Sequence, residues 1–111
     1  MSAVVAWLSA FAVTQAVEVP VYGRALRGRR WRWVWAFGAS ALTHPVVFFG
    51  FPRLWPGGYW ATVAAAEAFA VAVEALYLAA LGVERSVAWA LLANGLSLAV
   101  GLSLRAAVGW P

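Results

Sequence analysis

Residues 59–82 read YWATVAAAEAFAVAVEALYLAALG, an almost unbroken run of apolar and small side chains with two glutamates inside it. As a single helix, this run is long enough to cross a hydrocarbon core of ~30 Å. Glu67 and Glu74 are nearly two helical turns apart, so both carboxyl groups project from the same face. A carboxylate that faces lipid costs several kcal/mol, and acids inside a membrane usually face other protein or water. The run therefore predicts an integral membrane protein with a polar interior.

The composition of the whole chain supports this prediction. Of its 111 residues, 65% are hydrophobic and 11% charged, whereas soluble domains have ~45–50% apolar and ~25% charged residues. We expect an all-α fold, a single transmembrane domain over residues 1–111 that forms a four-helix bundle. Its four transmembrane helices are predicted near residues 3–22, 34–54, 59–82 and 86–106. The chain has no Cys, which excludes disulfides, thiolate metal sites and thiol nucleophiles.

Positive charge is concentrated in the loop after the first span. The net charge of +4 would suggest nucleic acid in a soluble protein, but here the membrane explains it and no nucleic acid partner is expected. The loop, residues 23–33, contains Arg24, Arg27, Arg29, Arg30 and Arg32. Under the positive-inside rule it is cytoplasmic, which places both termini outside. Its arginines are interpreted mainly as a topology signal, with contact to anionic lipid or a partner as the alternative. We expect a multi-pass protein of a bacterial inner membrane.

Each predicted span carries one polar stripe on an otherwise apolar helix. The stripes, in chain order, are Thr14, Gln15 and Glu18; Ser40, Thr43 and His44; Glu67 and Glu74; and Asn94 and Ser97. In each stripe every residue lies three, four or seven positions from another member, close to one or two helical turns, so the members share a face. Four helices with one polar face each are what a bundle needs if it surrounds a polar interior.

Local features refine where these polar groups lie. Pro45 removes a backbone hydrogen bond and disfavours helical geometry at the preceding residue, so we expect His44 to lie at a distortion. With ~1.5 Å of rise per residue, Glu18 is expected ~6 Å from the cytoplasmic face, and His44 and Ser97 ~18 Å from it. The polar groups would then form a ladder across most of the membrane.

The leading functional hypothesis is the binding or passage of a proton or small cation, as in a transporter or channel component. Burial disfavours the charged forms of carboxyl and imidazole groups, which brings proton exchange toward neutral pH. In this hypothesis the proton or ion sites are Glu67, Glu74 and Glu18, and His44 is a relay. The supporting polar residues are Asn94, Ser97, Thr14, Gln15, Ser40 and Thr43.

The competing structural interpretation is that the polar groups only satisfy one another, for example a protonated Glu74 against Asn94. Such contacts contribute only ~1 kcal/mol each in membranes, so several buried acids would stabilise the fold poorly.

Three further functions use the same residues. An accessory or structural subunit of a larger membrane complex is the main alternative, because small-residue faces allow close helix packing against a partner. A site for Zn, Mn or Fe would take its donors from His44, Glu67 and Glu74, although no cofactor is required otherwise. An intramembrane hydrolase would use His44 as base, Glu67 to orient it, and Ser40 or Thr43 as nucleophile. We favour binding or translocation over catalysis, because ionisable groups inside membranes mostly serve ion paths or partner contacts.

The chain size, the four spans and Glu18-Val19 within QAVEVPVYG are similar to the small multidrug resistance transporters. That resemblance would give Glu18 the role of an acid that binds drug and proton competitively, and it implies an antiparallel dimer. It covers one helix, and the chain departs from the pattern at Pro20 and Tyr22, in the extra carboxyl groups of the third span and in its arginine bias. We take from it only the expectation of a homo-oligomer, beside that of a partner membrane subunit.

Overall fold

A computed structural model describes residues 2–109, and these residues are helical apart from their short connections. The helices are α1 (Ala3–Ala25), α2 (Arg32–Leu54), α3 (Tyr59–Ala80) and α4 (Ser86–Val108). All four are long and apolar enough to cross a membrane, and the longest axis of the molecule is 39 Å. The predictions of an all-α fold and of four transmembrane helices are therefore confirmed, and the observed helix ends lie within three residues of the predicted ones.

The four helices form a closed ring around a common interior. α1 packs against α2, α2 against α3 and α3 against α4, and α4 returns to pack along α1. The connections, residues 26–31, 55–58 and 81–85, are short, so successive helices run antiparallel. This arrangement brings one face of every helix toward the centre, where the polar stripes lie.

The turn between α3 and α4 is tied to the arginine loop. Gly82 has a left-handed backbone (φ 82°), and the Val83 N–H donates to the Leu78 carbonyl at 3.0 Å, which closes the helix end with a Schellman motif. Arg29 donates from Nε to the Leu81 carbonyl at 2.9 Å and from Nη2 to the Gly82 carbonyl at 2.6 Å. Carbonyls at a helix C-terminus carry partial negative charge, so Arg29 stabilises this end of the bundle.

The other arginines of the loop face outward. Arg30 and Arg32 lie over the rings of Trp31 and Trp33, at 5.7 and 4.5 Å from the ring centroids. Arg24 and Arg27 are exposed. Of the five arginines predicted to contact lipid or a partner, Arg29 is thus the one that the fold itself uses.

α2 contains a π-helical turn at Val46–Gly50, directly after Pro45. Proline has no backbone N–H, and the wider turn lets the helix continue to Leu54 in spite of the missing hydrogen bond. His44 itself has regular α-helical geometry. The predicted distortion is present, but it follows Pro45 and does not fall on His44.

A hydrophobic cluster closes the bundle at the arginine-loop end. Its largest side chains, Tyr22, Leu26 and Leu78, have no exposed surface. Its smaller members are Ala36, Ala39, Val83 and Ala93. A Cβ on Gly23 would lie 2.2 Å from the Trp33 ring, so any larger residue at this position would force that ring to move. The polar interior is therefore sealed at this end.

Candidate functional site

Glu74 of α3 accepts hydrogen bonds from the three other helices. Tyr22 donates its hydroxyl proton to Oε1, Thr43 Oγ1 donates to Oε2 at 2.5 Å, and Asn94 Nδ2 donates to Oε1 at 3.0 Å. Asn94 is held in place by a further hydrogen bond from Nδ2 to the Ala90 carbonyl at 2.9 Å. Glu74 is only 1% exposed, so its carboxyl group lies at the junction of all four helices.

Glu18 of α1 forms a second carboxyl site beside the first. Its Oε1 accepts from Ser40 Oγ at 2.5 Å and its Oε2 from Ser97 Oγ at 2.5 Å. Glu18 is also 1% exposed. Its carboxyl group lines the same cavity as the Glu74 carboxyl group, and the two interact electrostatically.

The contact between Glu18 and Ser97 corrects the predicted depths, which placed these residues ~12 Å apart along the membrane normal. Two physical effects account for the difference. α1 continues to Ala25, which moves Glu18 deeper than the shorter predicted span did. Side chains also lean toward the N-terminus of their own helix, so on the antiparallel α1 and α4 they lean toward each other.

The Glu18–Glu74 pair has an electrostatic requirement. Two adjacent carboxylates in a low-dielectric interior repel each other strongly, so the two groups do not both carry charge without compensation. All five hydrogen-bonding partners of the pair are neutral side chains: Tyr22, Ser40, Thr43, Asn94 and Ser97. Within residues 2–109 no basic side chain is hydrogen-bonded to either carboxyl group, and the basic side chains that line the same cavity are His44 and Arg105.

A cavity of about 170 Å³ connects this pair with one end of the bundle. It reaches Tyr59, the first residue of α3, and Arg105, near the end of α4, where the guanidinium lies 4.3 Å from the Tyr59 ring centroid. This mouth is at the end opposite the arginine loop. The space corresponds to roughly five water molecules at ~30 Å³ each. The polar residues that line it include Thr14, Glu18, Thr43, His44, Glu67, Glu74, Asn94 and Ser97.

No protein-family model, curated protein or solved structure matches this chain. The similarity of Glu18 and its neighbours to the small multidrug resistance transporters gains no support from these comparisons. The structure shows a chain with four membrane-spanning helices and buried glutamates. Any more specific function has to be argued from the geometry of the site.

Glu67 lines the same cavity as Glu74 and lies nearly two helical turns nearer to the mouth. It is half-buried, and it also borders two largely apolar grooves on the side of the bundle, one against α2 and the other between α3 and α4. Of the three carboxyl groups that line this cavity, that of Glu67 is therefore the most exposed.

His44 lines the cavity, but its hydrogen-bond partner is Trp7 and not Glu67, which the hydrolase hypothesis placed beside it. The indole Nε1 of Trp7 donates to His44 Nδ1 at 3.1 Å. The rings of Phe11 and Phe48 lie against the imidazole, with centroids 5.4 and 6.2 Å away. The histidine is thus fixed between α1 and α2 by aromatic side chains.

Two of the expected polar residues, Gln15 and Ser40, do not line the cavity. Ser40 still reaches the site through its hydrogen bond to Glu18, whereas Gln15 does not. Its Nε2 donates to the Phe37 carbonyl at 3.1 Å, which ties α1 to α2. Its Oε1 is buried and has no partner within residues 2–109. Gln15 belongs to the helix packing and not to the site.

Within residues 2–109 the structure does not bring together the residues of two alternative functions, the metal site and the hydrolase. Among the described residues, no three His, Cys, Asp or Glu side chains come together as a metal site requires, so His44, Glu67 and Glu74 do not form the predicted one. The hydroxyl groups of Ser40 and Thr43 donate to glutamates, whereas His44 is bonded to an indole. The nucleophile and base of the hydrolase hypothesis therefore have other partners.

Two residues of the site, Tyr22 and Trp7, were not predicted from the sequence. Both lie on the helical face that carries Thr14 and Glu18, because Trp7 is two turns before Thr14 and Tyr22 is one turn after Glu18. The spacing could have identified them. They were not chosen as site residues because Tyr and Trp near the ends of a span are usually interfacial residues.

Proposed function

We propose that this protein binds a proton or a small cation at the Glu18–Glu74 pair and translocates it through the cavity that Glu67 lines. The observation that supports this proposal is the pair itself: two adjacent carboxyl groups, each 1% exposed, with neutral partners and a cavity beside them. Ionisable groups placed at such a cost inside a membrane are functional-site candidates by default.

The order of groups along the cavity suggests a route. A proton enters between Tyr59 and Arg105, reaches Glu67 through water in the cavity, and is taken up by the Glu18–Glu74 pair. The hydroxyl partners of the pair can stabilise both the charged and the protonated carboxyl group. They donate to a carboxylate and can reverse to accept when it gains a proton.

Tyr22 links the pair to the seal at the arginine-loop end. It donates to Glu74 and also belongs to the hydrophobic cluster with Leu26 and Leu78. If Glu74 gains a proton on Oε1, that oxygen becomes a donor and the bond from Tyr22 reverses or breaks, whereas a proton on Oε2 has this effect on the bond from Thr43. Occupation of the pair would in this way act directly on the side chain that closes the inner end.

The experiment is a flux measurement on purified protein reconstituted in liposomes that contain a pH-sensitive dye. Glu74→Gln and Glu18→Gln each replace a carboxyl group by an isosteric amide. Glu84→Gln is the matched control, because it makes the same change at an exposed residue of the α3–α4 turn. We expect the wild type and the control to conduct, and the two buried variants to lose most of the flux.

Two results would count against the proposal. A folded Glu74→Gln protein with unchanged proton and cation flux would show that the pair does not carry the ion. If both buried variants instead lost abundance in cells, and a co-expressed membrane partner restored it, the accessory-subunit hypothesis would be favoured.

A further inference from the structure

The hydrogen bond from Trp7 determines the tautomer of His44. An indole nitrogen is a donor only, so the imidazole nitrogen that faces it, Nδ1, must be the acceptor and carry no proton. In the neutral ring the proton then lies on Nε2, which becomes the donor nitrogen. A doubly protonated ring would present N–H to N–H at this contact, so it is incompatible with the observed geometry.

The surroundings hold this arrangement in place. Trp7 stacks on Phe11 with ring centroids 5.3 Å apart and lies 5.7 Å from Phe49, which limits rotation of the indole. Phe48 stacks on the imidazole, with ring centroids 6.2 Å apart. His44 also lines the cavity, whose other titratable side chains are Glu18, Tyr59, Glu67, Glu74 and Arg105.

A donor of this kind differs from a proton relay. A histidine relay takes a proton on one ring nitrogen and releases one from the other. Nδ1 of His44 is occupied by an indole, which neither gives nor takes a proton at this site. Because the Nδ1 lone pair accepts this hydrogen bond and Nε2 carries the proton, the ring in this state also has no free nitrogen for a metal ion.

We propose that Trp7 is a positioning residue that holds His44 as a fixed hydrogen-bond donor to the cavity, where it binds a water molecule and does not itself carry the transported proton. The water oxygen accepts from Nε2–H, which leaves both water protons directed away from His44, toward the carboxyl groups on the same cavity. The role in flux rests on the proposed function, whereas the tautomer does not.

The tautomer can be measured directly, because the chain contains a single histidine. Nitrogen-15 NMR of the labelled protein in lipid distinguishes the Nε2–H form, the Nδ1–H form and the doubly protonated ring. We expect the wild type to show the Nε2–H form alone at neutral pH. Trp7→Phe keeps an aromatic ring but removes the donor, and it should release a mixture of forms.

The control variant for this measurement is Trp60→Phe, a change at an exposed position near the mouth that should leave the His44 spectrum unchanged. A wild-type spectrum with the Nδ1–H form, or with a mixture, would overturn the inference even if Trp7→Phe failed to fold.

Flux then separates a donor from a relay. His44→Gln places an amide N–H where it can replace Nε2–H but cannot transfer protons, whereas His44→Leu removes the donor. We expect the Gln variant to conduct within about twofold of the wild type and the Leu variant to lose about tenfold, the effect of one good hydrogen bond. Equal loss in two folded variants would establish a relay and refute the donor role. If the wild type shows no flux, the proposed function fails, while the NMR result still decides the roles of Trp7 and His44.

Discussion

The hydrogen bonds around Glu74 predict that two substitutions at this position differ in stability. Glu74→Gln keeps an acceptor oxygen for Tyr22 and Asn94, and its new N–H group can donate to the Thr43 hydroxyl. We expect it to change the free energy of unfolding by less than ~1 kcal/mol. Glu74→Leu has a similar size but removes the acceptor from all three donors.

The cost of Glu74→Leu can be worked out donor by donor. Thr43 keeps the Ser40 carbonyl at 3.4 Å, and Asn94 keeps the Ala90 carbonyl at 2.9 Å. Within residues 2–109 the Tyr22 hydroxyl donates only to Glu74, so it alone is left without an acceptor. One buried unsatisfied donor costs ~1–3 kcal/mol, and the two weakened bonds add a few tenths each, so we expect a loss of about 2 kcal/mol. The apolar side chain brings little compensation, because the unfolded helices also remain in an apolar medium.

The assay is equilibrium unfolding in mixed micelles titrated with sodium dodecyl sulfate and followed by circular dichroism. Glu84→Leu and Glu84→Gln make the same pair of changes on an exposed turn and should both lie within ~0.5 kcal/mol of the wild type. If Glu74→Gln and Glu74→Leu destabilise equally, hydrogen bonding to Glu74 does not stabilise the bundle, and the reasoning from its three donors is wrong.

Two further predictions concern α1. Tyr22→Phe removes one hydrogen bond to Glu74 and should lower stability by ~1 kcal/mol in the same titration, whereas Tyr59→Phe, at the exposed mouth, should have no measurable effect; an equal loss in both would contradict the buried contact. Gly23→Ala brings a Cβ within 2.2 Å of the Trp33 ring and should destabilise by ~1–3 kcal/mol, whereas a Cβ on Gly95 meets no neighbouring atom within 4 Å and Gly95→Ala should have no such effect. A fully stable Gly23→Ala protein would show that the Trp33 ring moves aside without cost.

The four helices and the polar interior could be predicted from the sequence alone. Apolar runs of membrane length and the spacing of Glu67 and Glu74 depend on local chemistry, which a single chain displays directly. The contact of Glu74 with Asn94 could also be anticipated, since few buried groups can satisfy a carboxyl group.

Which groups pair with which could not be derived in this way. Depth estimates treat helices as straight rods with perpendicular side chains, so they separated Glu18 from Ser97 by more than the reach of a hydrogen bond. The expectation that His44 relays protons assumed that both its ring nitrogens are free. Only the three-dimensional contact with Trp7 shows that one of them is occupied.

The side of the membrane that the cavity faces remains a prediction from the arginine loop, and it determines from which compartment the acids are reached. The chain has no Cys, so a single introduced thiol reports its own location. Gly58 precedes Tyr59 at the mouth and a Cβ there meets no other atom within 4 Å, whereas Glu84 is exposed at the sealed end. We expect a membrane-impermeant maleimide to label Gly58→Cys in right-side-out vesicles, and Glu84→Cys only after permeabilisation. The reverse pattern would place the cavity mouth toward the cytoplasm. Glu18 and Glu74 would then be loaded from inside, and the seal formed by Tyr22, Leu26 and Leu78 would separate them from the exterior.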